Sequence, residues 1–380
     1  MTTPEITSER FVRDIESGRE VHVLDVRAPE RLQTGRIDLV PATWFHNIRG
    51  SELLRLGDVR DAGLDPATPL AVVCGRGVDS LRIAEHLRER GYDANSIAGG
   101  MGGWTRALIE REIPAPPELD RFFQFDRIGK GALGYLLVCD GEALIVDPPR
   151  YATPYLARID ALGATLIGVA DTHAHADYIS GGPELAHRHD VPYYLHASDA
   201  ISPYDGTSGT VTHTAVDEGT RIAVGRAEVA VLHTPGHTTG SVSYRVEDRF
   251  VLSGDFLFVH SVGRPDLGGK AEEWARVLWS SLDAARRAWP AEMEVFPGHY
   301  GSSAERRADR VVGSTMRELV GQNAQLRMKD AEEFIGWVRQ HTGAFPETYR
   351  KIKTINIGLA SCTDEEAEEL EAGKSECALR

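Results

Sequence analysis

Four short apolar segments of this chain are each followed within a few residues by a histidine or an aspartate. The first, Leu166 to Ala170, is followed, after Asp171, by Thr172-His173-Ala174-His175-Ala176-Asp177-Tyr178. The other three segments, residues 228–232, 250–254 and 293–296, lead into His237, Asp255 and His299. Short apolar runs bounded by glycine and polar residues are typical of buried strands. Because strand ends on one edge of a sheet can converge, the pattern predicts a sheet with one shared site.

The segment from Thr172 to Tyr178 offers three metal donors within five residues, namely His173, His175 and Asp177. Imidazole and carboxylate groups are ordinary ligands of zinc and iron. The alternative is that both histidines are ordinary surface or core side chains, which suits a single histidine better than this cluster. The residues therefore favour a metal site at the predicted sheet edge.

Composition limits the class of protein and its partners. The chain has 380 residues, 42% hydrophobic and 26% charged, which is typical of a soluble globular protein with two or three domains. Its net charge of −15 disfavours nucleic acid and anionic membranes as partners. The N-terminus lacks a basic or apolar segment, and no window approaches the ~20 apolar residues of a membrane span. A cytoplasmic protein is expected.

The four cysteines, Cys74, Cys139, Cys362 and Cys377, are scattered and form no metal-type pair. In a reducing compartment this spacing predicts free thiols. Cys139 lies within a predicted strand and is assigned to the core. Cys377 stands three residues before the end and is expected to be a mobile thiol.

Cys74 has the most informative surroundings of the four. The apolar run Leu70 to Val73 precedes it, and Cys74-Gly75-Arg76-Gly77-Val78-Asp79-Ser80 then leads into a predicted helix that Gly91 closes. Loop amides and the positive end of a helix stabilise negative charge on sulfur, and Arg76 would add to this effect. The alternative is a small buried residue at a strand end. The position favours a reactive thiolate.

Residues 1–112 resemble a rhodanese domain, the α/β sulfurtransferase module. The matching segments are Leu24-Asp25-Val26-Arg27 with Glu30, Gly35-Arg36-Ile37, the Cys74 to Ser80 loop, and Gly99-Gly100-Met101-Gly102-Gly103-Trp104. The resemblance implies that Cys74 carries sulfane sulfur as a persulfide, with Arg76 beside it. Asp79 stands where the family often has a basic or hydroxyl residue, which disfavours a dianionic donor such as thiosulfate.

A proline-rich connector, residues 113–120, is the predicted boundary between two domains. Beyond it, the series of strands that end in donors resembles the metallo-β-lactamase fold, an αββα sandwich. The expected architecture is a rhodanese-like α/β domain followed by this sandwich, with a helical C-terminal extension. The second domain is taken as residues 121–380.

Within this fold family, His173, His237 and Asp255 resemble the iron site of persulfide dioxygenases. The resemblance implies one Fe(II) per chain, with zinc as the alternative, and gives His175, Asp177 and His299 supporting roles in orienting ligands or handling protons. Members with two metals carry a further histidine where this chain has Tyr178. A binuclear centre is accordingly less expected.

Three further residues are candidates for substrate binding. The segment Gly263-Arg264-Pro265-Asp266-Leu267 is similar to one that follows the metal-binding aspartate in persulfide dioxygenases, and Arg264 could pair with a glutathione carboxylate. Tyr178 and Tyr300 could face the substrate. The alternatives are a solvated arginine and tyrosines that simply pack.

The resemblances together imply a persulfide dioxygenase fused to a sulfurtransferase. Its partners would be a small-molecule thiol persulfide such as glutathione persulfide, dioxygen, and sulfite or thiosulfate, and a homodimer is compatible with the sequence. One alternative is a zinc-dependent thioester hydrolase of the glyoxalase II type with a regulatory N-terminal domain. Another makes the N-terminal domain a non-catalytic module that binds a partner.

Overall fold

The structure is a computed structural model that describes residues 4–56, 58–266, 268–343 and 346–379. Leu267, at the end of the predicted arginine segment, lies outside these residues. The chain forms two compact units. The first contains the residues up to Ile109 with Arg127–Lys130 and Ala372–Lys374, and the second contains Glu110–Asp126, Gly131–Glu371 and the residues from Ser375 onward.

The first unit is built on a parallel five-stranded sheet with the order β1-β5-β4-β2-β3. Its strands are β1 Glu5–Ile6, β2 His22–Asp25, β3 Phe45–Asn47, β4 Leu70–Val73 and β5 Ala94–Ile97. Its helices are α1 Ser8–Glu16, α2 Gly50–Leu53, α3 Val78–Arg88 and α4 Gly100–Arg106. The structure confirms that the apolar run Leu70 to Val73 forms a strand.

Helices cover both faces of this sheet. Val72 of β4 packs in a cluster with Leu87 of α3, whereas its neighbours Ala71 and Val73 pack in a second cluster with Trp104 of α4. Alternate residues of a strand point to opposite faces, so a strand buried on both sides is apolar throughout. All four residues of β4 are buried for this reason.

The second unit contains two sheets. The seven-stranded sheet has the order β12-β11-β10-β9-β8-β7-β6, and the six-stranded sheet has the order β13-β14-β15-β16-β17-β18. The strands of the first are β6 Ile109–Ile113, β7 Arg121–Arg127, β8 Ala132–Cys139, β9 Glu142–Val146, β10 Thr165–Ala170, β11 Tyr193–His196 and β12 Thr214–Val216. The strands of the second are β13 Arg221–Val224, β14 Ala227–His233, β15 Val242–Val246, β16 Phe250–Gly254, β17 Glu294–Pro297 and β18 Ser314–Thr315.

The second unit also contains seven α-helices in the part of the chain that the structure describes. They are α5 Thr153–Ala161, α6 Gly182–His189, α7 Ala271–Ala288, α8 Met316–Gln322, α9 Ala331–His341, α10 Glu347–Asn356 and α11 Asp364–Leu370. Buried side chains from both sheets and from α7 form one hydrophobic core, exemplified by Leu137, Val231 and Leu278. None of the helices in the described ranges is both long enough and apolar enough to cross a membrane.

Every strand that the sequence predicted to end in a metal donor is present, as β10, β14, β16 and β17. Cys139 is fully buried in β8, which confirms its assignment to the core. The prediction for Cys377 was wrong, because this residue is also fully buried. The tail pairs with the segment around Gly263, where the Arg264 amide donates to the Cys377 carbonyl at 2.8 Å, and this pairing holds the thiol inside.

Candidate metal centre

His173, His237 and Asp255 meet at one edge of the two sheets. His173 follows β10, His237 follows β14 and Asp255 directly follows β16. The end of β16 approaches the histidine loop so closely that a Cβ on Gly254 would lie 2.3 Å from Thr172 Oγ1. Gly254 also has a φ of +51°, a left-handed conformation that glycine adopts easily. Glycine at this position therefore lets the two strand ends come together.

The three side chains present their donor atoms to a common point. Asp255 Oδ2 lies 3.7 Å from His173 Nε2 and 3.5 Å from His237 Nε2. These separations are those of neighbouring ligands around one cation with bonds of about 2.1 Å. All three atoms are buried, and none makes a hydrogen bond to any part of the chain that the structure describes. Buried polar atoms are nearly always satisfied, so this convergence fits a bound metal ion.

The other ring nitrogen of each histidine fixes its orientation. His237 Nδ1 donates to the Arg264 carbonyl at 3.0 Å, which leaves Nε2 as the lone-pair donor. His173 Nδ1 lies 3.0 Å from Thr172 Oγ1, and Asp147 in turn accepts from the Thr172 amide at 2.7 Å. Burial lowers the pKa of His237 and lowers that of His173 further, aided by nearby histidines. Both rings are therefore neutral, as metal ligands must be.

Asp255 is shared between the donor set and His299. Its Oδ1 accepts from His299 Nδ1 at 2.6 Å, while His299 Nε2 lies 3.0 Å from Asp177 Oδ2. Burial alone would lower the pKa of His299, but Asp255 and Asp177 outweigh it and raise the pKa to about 10. In the metal-free protein His299 is therefore an imidazolium between two carboxylates.

His175 contacts neighbouring side chains through its Nε2, while its Nδ1 is buried without a hydrogen bond to any described residue. Its Nε2 lies 2.9 Å from the Tyr178 hydroxyl and 3.1 Å from Asp147 Oδ1, and the His175 and Tyr178 rings stack at 4.2 Å. Burial would lower the pKa of His175, but Asp147 outweighs it and raises the pKa. The supporting roles that the sequence suggested for His175, Asp177 and His299 stay predictions.

Several residues that the sequence did not single out hold this loop. Asp147 supports both Thr172 and His175, and Asp199 accepts from the Ala174 amide at 2.7 Å. Asp147 directly follows strand β9, just as His173 stands shortly after β10. Its position at a strand end could therefore have identified Asp147 from the sequence. Asn356 of α10 donates to the His175 and Tyr178 carbonyls at 2.8 and 2.9 Å, and no pattern in the sequence marked it.

Lys353 of α10 adds a buried positive charge close to the histidines. It is 1% exposed, and after burial its charge contributes to the low pKa values of His173 and His237. Burial also lowers the pKa of Lys353 itself, which Asp199 opposes. A cation in this position favours an anionic ligand at the centre.

The three predicted substrate-binding residues are all largely buried and already bonded. Arg264 is 4% exposed and its guanidinium pairs with Asp266 at 2.7 Å. The Tyr300 hydroxyl donates to Asp126 at 2.8 Å, and the Tyr178 hydroxyl is the partner of His175. Any contact with a substrate would need these bonds to open, and the binding roles stay predictions.

In the first unit, the structure confirms the predicted strand, loop and helix around Cys74. Cys74 is 4% exposed, and its sulfur accepts from the Gly77 amide at 3.1 Å and the Ser80 hydroxyl at 3.3 Å. The Arg76 and Asp79 side chains are exposed. The loop packs so tightly against α4 that a Cβ on Gly100 would lie 2.4 Å from the Cys74 carbonyl oxygen.

Two sheets around a common core, with buried histidine and aspartate donors at the strand ends, define a metal-binding α/β domain. Residues 129–308 match the metallo-beta-lactamase superfamily. A probable metallo-hydrolase, YqgX of Bacillus subtilis, is 32% identical over 182 residues, which are 44% of this chain and 84% of that protein. The chain therefore belongs to the metallo-beta-lactamase superfamily.

Two further proteins are similar to parts of this chain. A hydroxyacylglutathione hydrolase of Rhodospirillum rubrum is 35% identical over 168 residues, which are 43% of this chain and 60% of the relative. The crystal structure of ETHE1 from Myxococcus xanthus aligns with a TM-score of 0.54 and 27% identity, covering 63% of this chain and 98% of that one.

Proposed function

We propose that this protein is an iron-dependent persulfide dioxygenase that also transfers sulfane sulfur through Cys74. The overall oxidation is R–S–SH + O₂ + H₂O → R–SH + SO₃²⁻ + 2 H⁺, with glutathione persulfide or a similar small thiol persulfide as the substrate. The observation that carries the proposal is the set of three buried, unsatisfied donors on His173, His237 and Asp255.

Two imidazoles and one carboxylate with open positions suit non-heme Fe(II), whereas hydrolytic zinc sites rely on a metal-bound hydroxide. Tyr178 supports a single metal at this set, because its hydroxyl bonds His175 and supplies no imidazole. When bound, Fe(II) would supply the redox chemistry that joins both atoms of dioxygen to the outer sulfur. The likeness to ETHE1 supports this reading of the site.

The surrounding residues would prepare the centre for an anionic sulfur substrate. Thr172 and the Arg264 carbonyl hold the two imidazoles with Nε2 inward. Lys353 lowers the electrostatic cost of bringing in a persulfide anion. His299 keeps protons on both ring nitrogens between Asp177 and Asp255, so Asp255 stays ionised and available as a ligand.

Cys74 would move sulfane sulfur in the first unit. The thiol takes the outer sulfur of R–S–SH, forming Cys74–S–SH and releasing R–SH. Sulfite then attacks that outer sulfur, which regenerates the Cys74 thiol and yields thiosulfate. The Gly77 amide and the Ser80 hydroxyl, which already bond the sulfur, would stabilise the anionic forms.

The deciding experiment combines metal analysis and oxygen uptake on one sample. Protein purified without added metal is analysed for iron and zinc and then given glutathione persulfide in an oxygen electrode. We expect about one iron per chain and oxygen consumption matched by sulfite. Protein that holds only zinc and consumes no oxygen would refute the dioxygenase.

The second candidate is a zinc-dependent thioester hydrolase of the glyoxalase II type, which the hydroxyacylglutathione hydrolase relative favours. It predicts hydrolysis of a hydroxyacylglutathione thioester by the zinc-loaded protein without oxygen uptake. For the first unit, Cys74→Ser should abolish sulfur transfer and Cys362→Ser should not. Unchanged transfer in Cys74→Ser would make the unit a non-catalytic binding module.

A further inference from the structure

Two buried serines stand in a row behind the Cys74 sulfur. The Ser80 hydroxyl of α3 lies 3.3 Å from Cys74 Sγ, and the Ser96 hydroxyl of β5 lies 2.8 Å from Ser80 Oγ. Both serines are fully buried, and Cys74 is 4% exposed. The loop after β4, helix α3 and strand β5 therefore contribute to one chain of polar atoms that is shielded from bulk water.

The direction of the hydrogen bond between the two serines follows from their other neighbours. The Ser80 hydroxyl can donate to the Cys74 sulfur at 3.3 Å or to the Gly77 carbonyl at 3.1 Å. For the Ser96 hydroxyl, the other acceptor among the described residues is the Ile97 carbonyl at 3.5 Å, which is too long for a strong O–H···O bond. Ser96 therefore donates to Ser80, and the single Ser80 proton stays free to point at the carbonyl or at the sulfur.

The state of the sulfur decides between these two acceptors. The Gly77 carbonyl does not need the Ser80 proton, because it already accepts from the Leu81 amide at 3.1 Å in the first turn of α3. A thiolate attracts a donor more strongly than a neutral carbonyl does. The Ser80 hydroxyl should therefore turn to Cys74 when the sulfur is ionised. Ser96 favours this turn, since a hydroxyl that accepts a hydrogen bond becomes a better donor.

Packing alone does not account for a serine at this point of β5. Alternate residues of a strand share a face, and Ala94, two residues before Ser96, packs among apolar side chains that include Val72 and Leu87. Val72 is also the residue paired with Ser96 across the sheet. An alanine would fit this face without adding a buried polar group that must be satisfied.

We propose that Ser96 is a positioning residue that acts through Ser80 to stabilise the Cys74 thiolate during sulfur transfer. The inference rests on the sulfur transfer proposed above and concerns its second step, Cys74–S–S⁻ + SO₃²⁻ → Cys74–S⁻ + S₂O₃²⁻. Sulfite bonds to the outer sulfur, the S–S bond breaks, and its electron pair stays on Cys74 Sγ. The Ser80 proton points at this atom, so the pair of serines makes Cys74 a better leaving group.

The first test needs no sulfur donor. Full-length wild type, Ser96→Ala and Ser96→Thr are treated with iodoacetamide across a range of pH, and alkylation of Cys74 is followed by mass spectrometry of its peptide. In Ser96→Ala, the pH of half-maximal alkylation should lie at least about half a unit above that of wild type, because the hydrogen bond to the charged sulfur is weakened. Ser96→Thr keeps the hydroxyl and should restore the wild-type value.

Ser8→Ala is the matched control, since the buried Ser8 hydroxyl makes no hydrogen bond to any described residue. It should leave the alkylation profile of Cys74 unchanged. A Ser96→Ala profile that coincides with wild type would overturn the proposal, and so would a shift to lower pH, which would mean that Ser96 accepts from Ser80. An upward shift that Ser96→Thr shares in full would assign the effect to packing and would also overturn it.

Sulfite-dependent release separates this inference from the proposed function. With Cys74 preloaded with sulfane sulfur, a single turnover with sulfite should form thiosulfate at least about twofold more slowly in Ser96→Ala than in wild type. An altered alkylation profile with an unchanged rate of release would refute the role of Ser96 in transfer. Wild-type protein that forms no thiosulfate would refute the transfer itself, whereas the alkylation profiles would still decide whether Ser96 stabilises the thiolate.

Discussion

The Cys74 loop and the metal centre both stand at strand ends, but they differ in how their polar atoms are satisfied. The Cys74 sulfur accepts bonds from Gly77 and Ser80, which lie within six residues of it. At the metal centre, His173, His237 and Asp255 leave three buried donor atoms without a hydrogen bond to any of the described residues. The polar atoms of the Cys74 site are therefore satisfied by the fold itself, whereas those of the metal centre are arranged as ligands of a cation.

The two sites also differ in how far apart in the sequence their residues lie. A single strand, loop and helix form the Cys74 site, and the close approach of Gly100 is its main outside requirement. The metal centre draws on β10, β14 and β16, and its loop is held by Asp147, Asp199 and Asn356 from elsewhere in the chain. Substitutions around the Cys74 site should therefore change the stability of the fold, whereas substitutions around the metal centre should change its affinity for metal.

The largest expected effect is the removal of one metal donor. His237→Ala should lower iron affinity and oxygen uptake by more than about 100-fold, because loss of an outer hydrogen-bond partner alone costs about 10- to 100-fold. Metal content after gel filtration and an oxygen electrode measure it. The control is His233→Ala on the same segment. An unchanged iron content in His237→Ala would show that the unsatisfied donor atoms are not the ligands of the iron. The contrast between the metal centre and the Cys74 loop would then fail.

In the first unit, Gly100→Ala should destabilise the fold by at least about 2 kcal/mol. Its φ of +58° alone costs an alanine about 1–2 kcal/mol, and the new Cβ would overlap the Cys74 carbonyl oxygen. Urea unfolding followed by tryptophan fluorescence measures the change.

The matched control for Gly100→Ala is Gly75→Ala, since a Cβ at Gly75 would meet no described atom within 4 Å. It should change the free energy of unfolding by less than about 0.5 kcal/mol. Equal stability of the two variants would show that the Cys74 loop does not depend on the close approach of α4.

A smaller effect is expected where the metal loop is supported from outside the donor set. Thr172→Val removes the hydroxyl that contacts His173 Nδ1 and should weaken metal binding by about 10-fold. Competition with a chelator gives the affinity, and Thr165→Val at the exposed start of β10 is the control. If both variants bind metal like the wild type, orientation of His173 does not depend on Thr172.

The smallest effect concerns the charge on His299 in metal-free protein. Because its folded pKa is raised to about 10 from 6.5, its stabilising contribution is complete below pH 6.5 and is lost as the pH rises through about 10. The free energy of unfolding of wild type should exceed that of His299→Gln most below pH 6.5, and the difference should shrink toward pH 10. Denaturant titrations at several pH values measure it, and a constant difference would contradict the imidazolium assignment.

The sequence predicted the positions of the strands well because each metal donor stands within a few residues of the end of an apolar run. It also predicted which three donors meet, His173, His237 and Asp255, through the family resemblance. It did not predict that His175 turns toward Asp147 and Tyr178, since ring orientation depends on contacts between distant segments. Cys377 was misjudged for the same reason, because pairing with residues 261–264 is not visible in the tail itself.

The composition of the first unit has a consequence for the order of folding. This unit includes Arg127–Lys130 and Ala372–Lys374 as well as the N-terminal residues, and Ile128 packs in the same cluster as Trp104. During synthesis, at about 5–20 residues per second, the N-terminal segment must therefore wait for nearly the whole chain before its last contacts can form. A fragment ending at the proline-rich connector would leave Trp104 without Ile128, and we expect it to be less stable and more prone to aggregation than the same residues in the full chain.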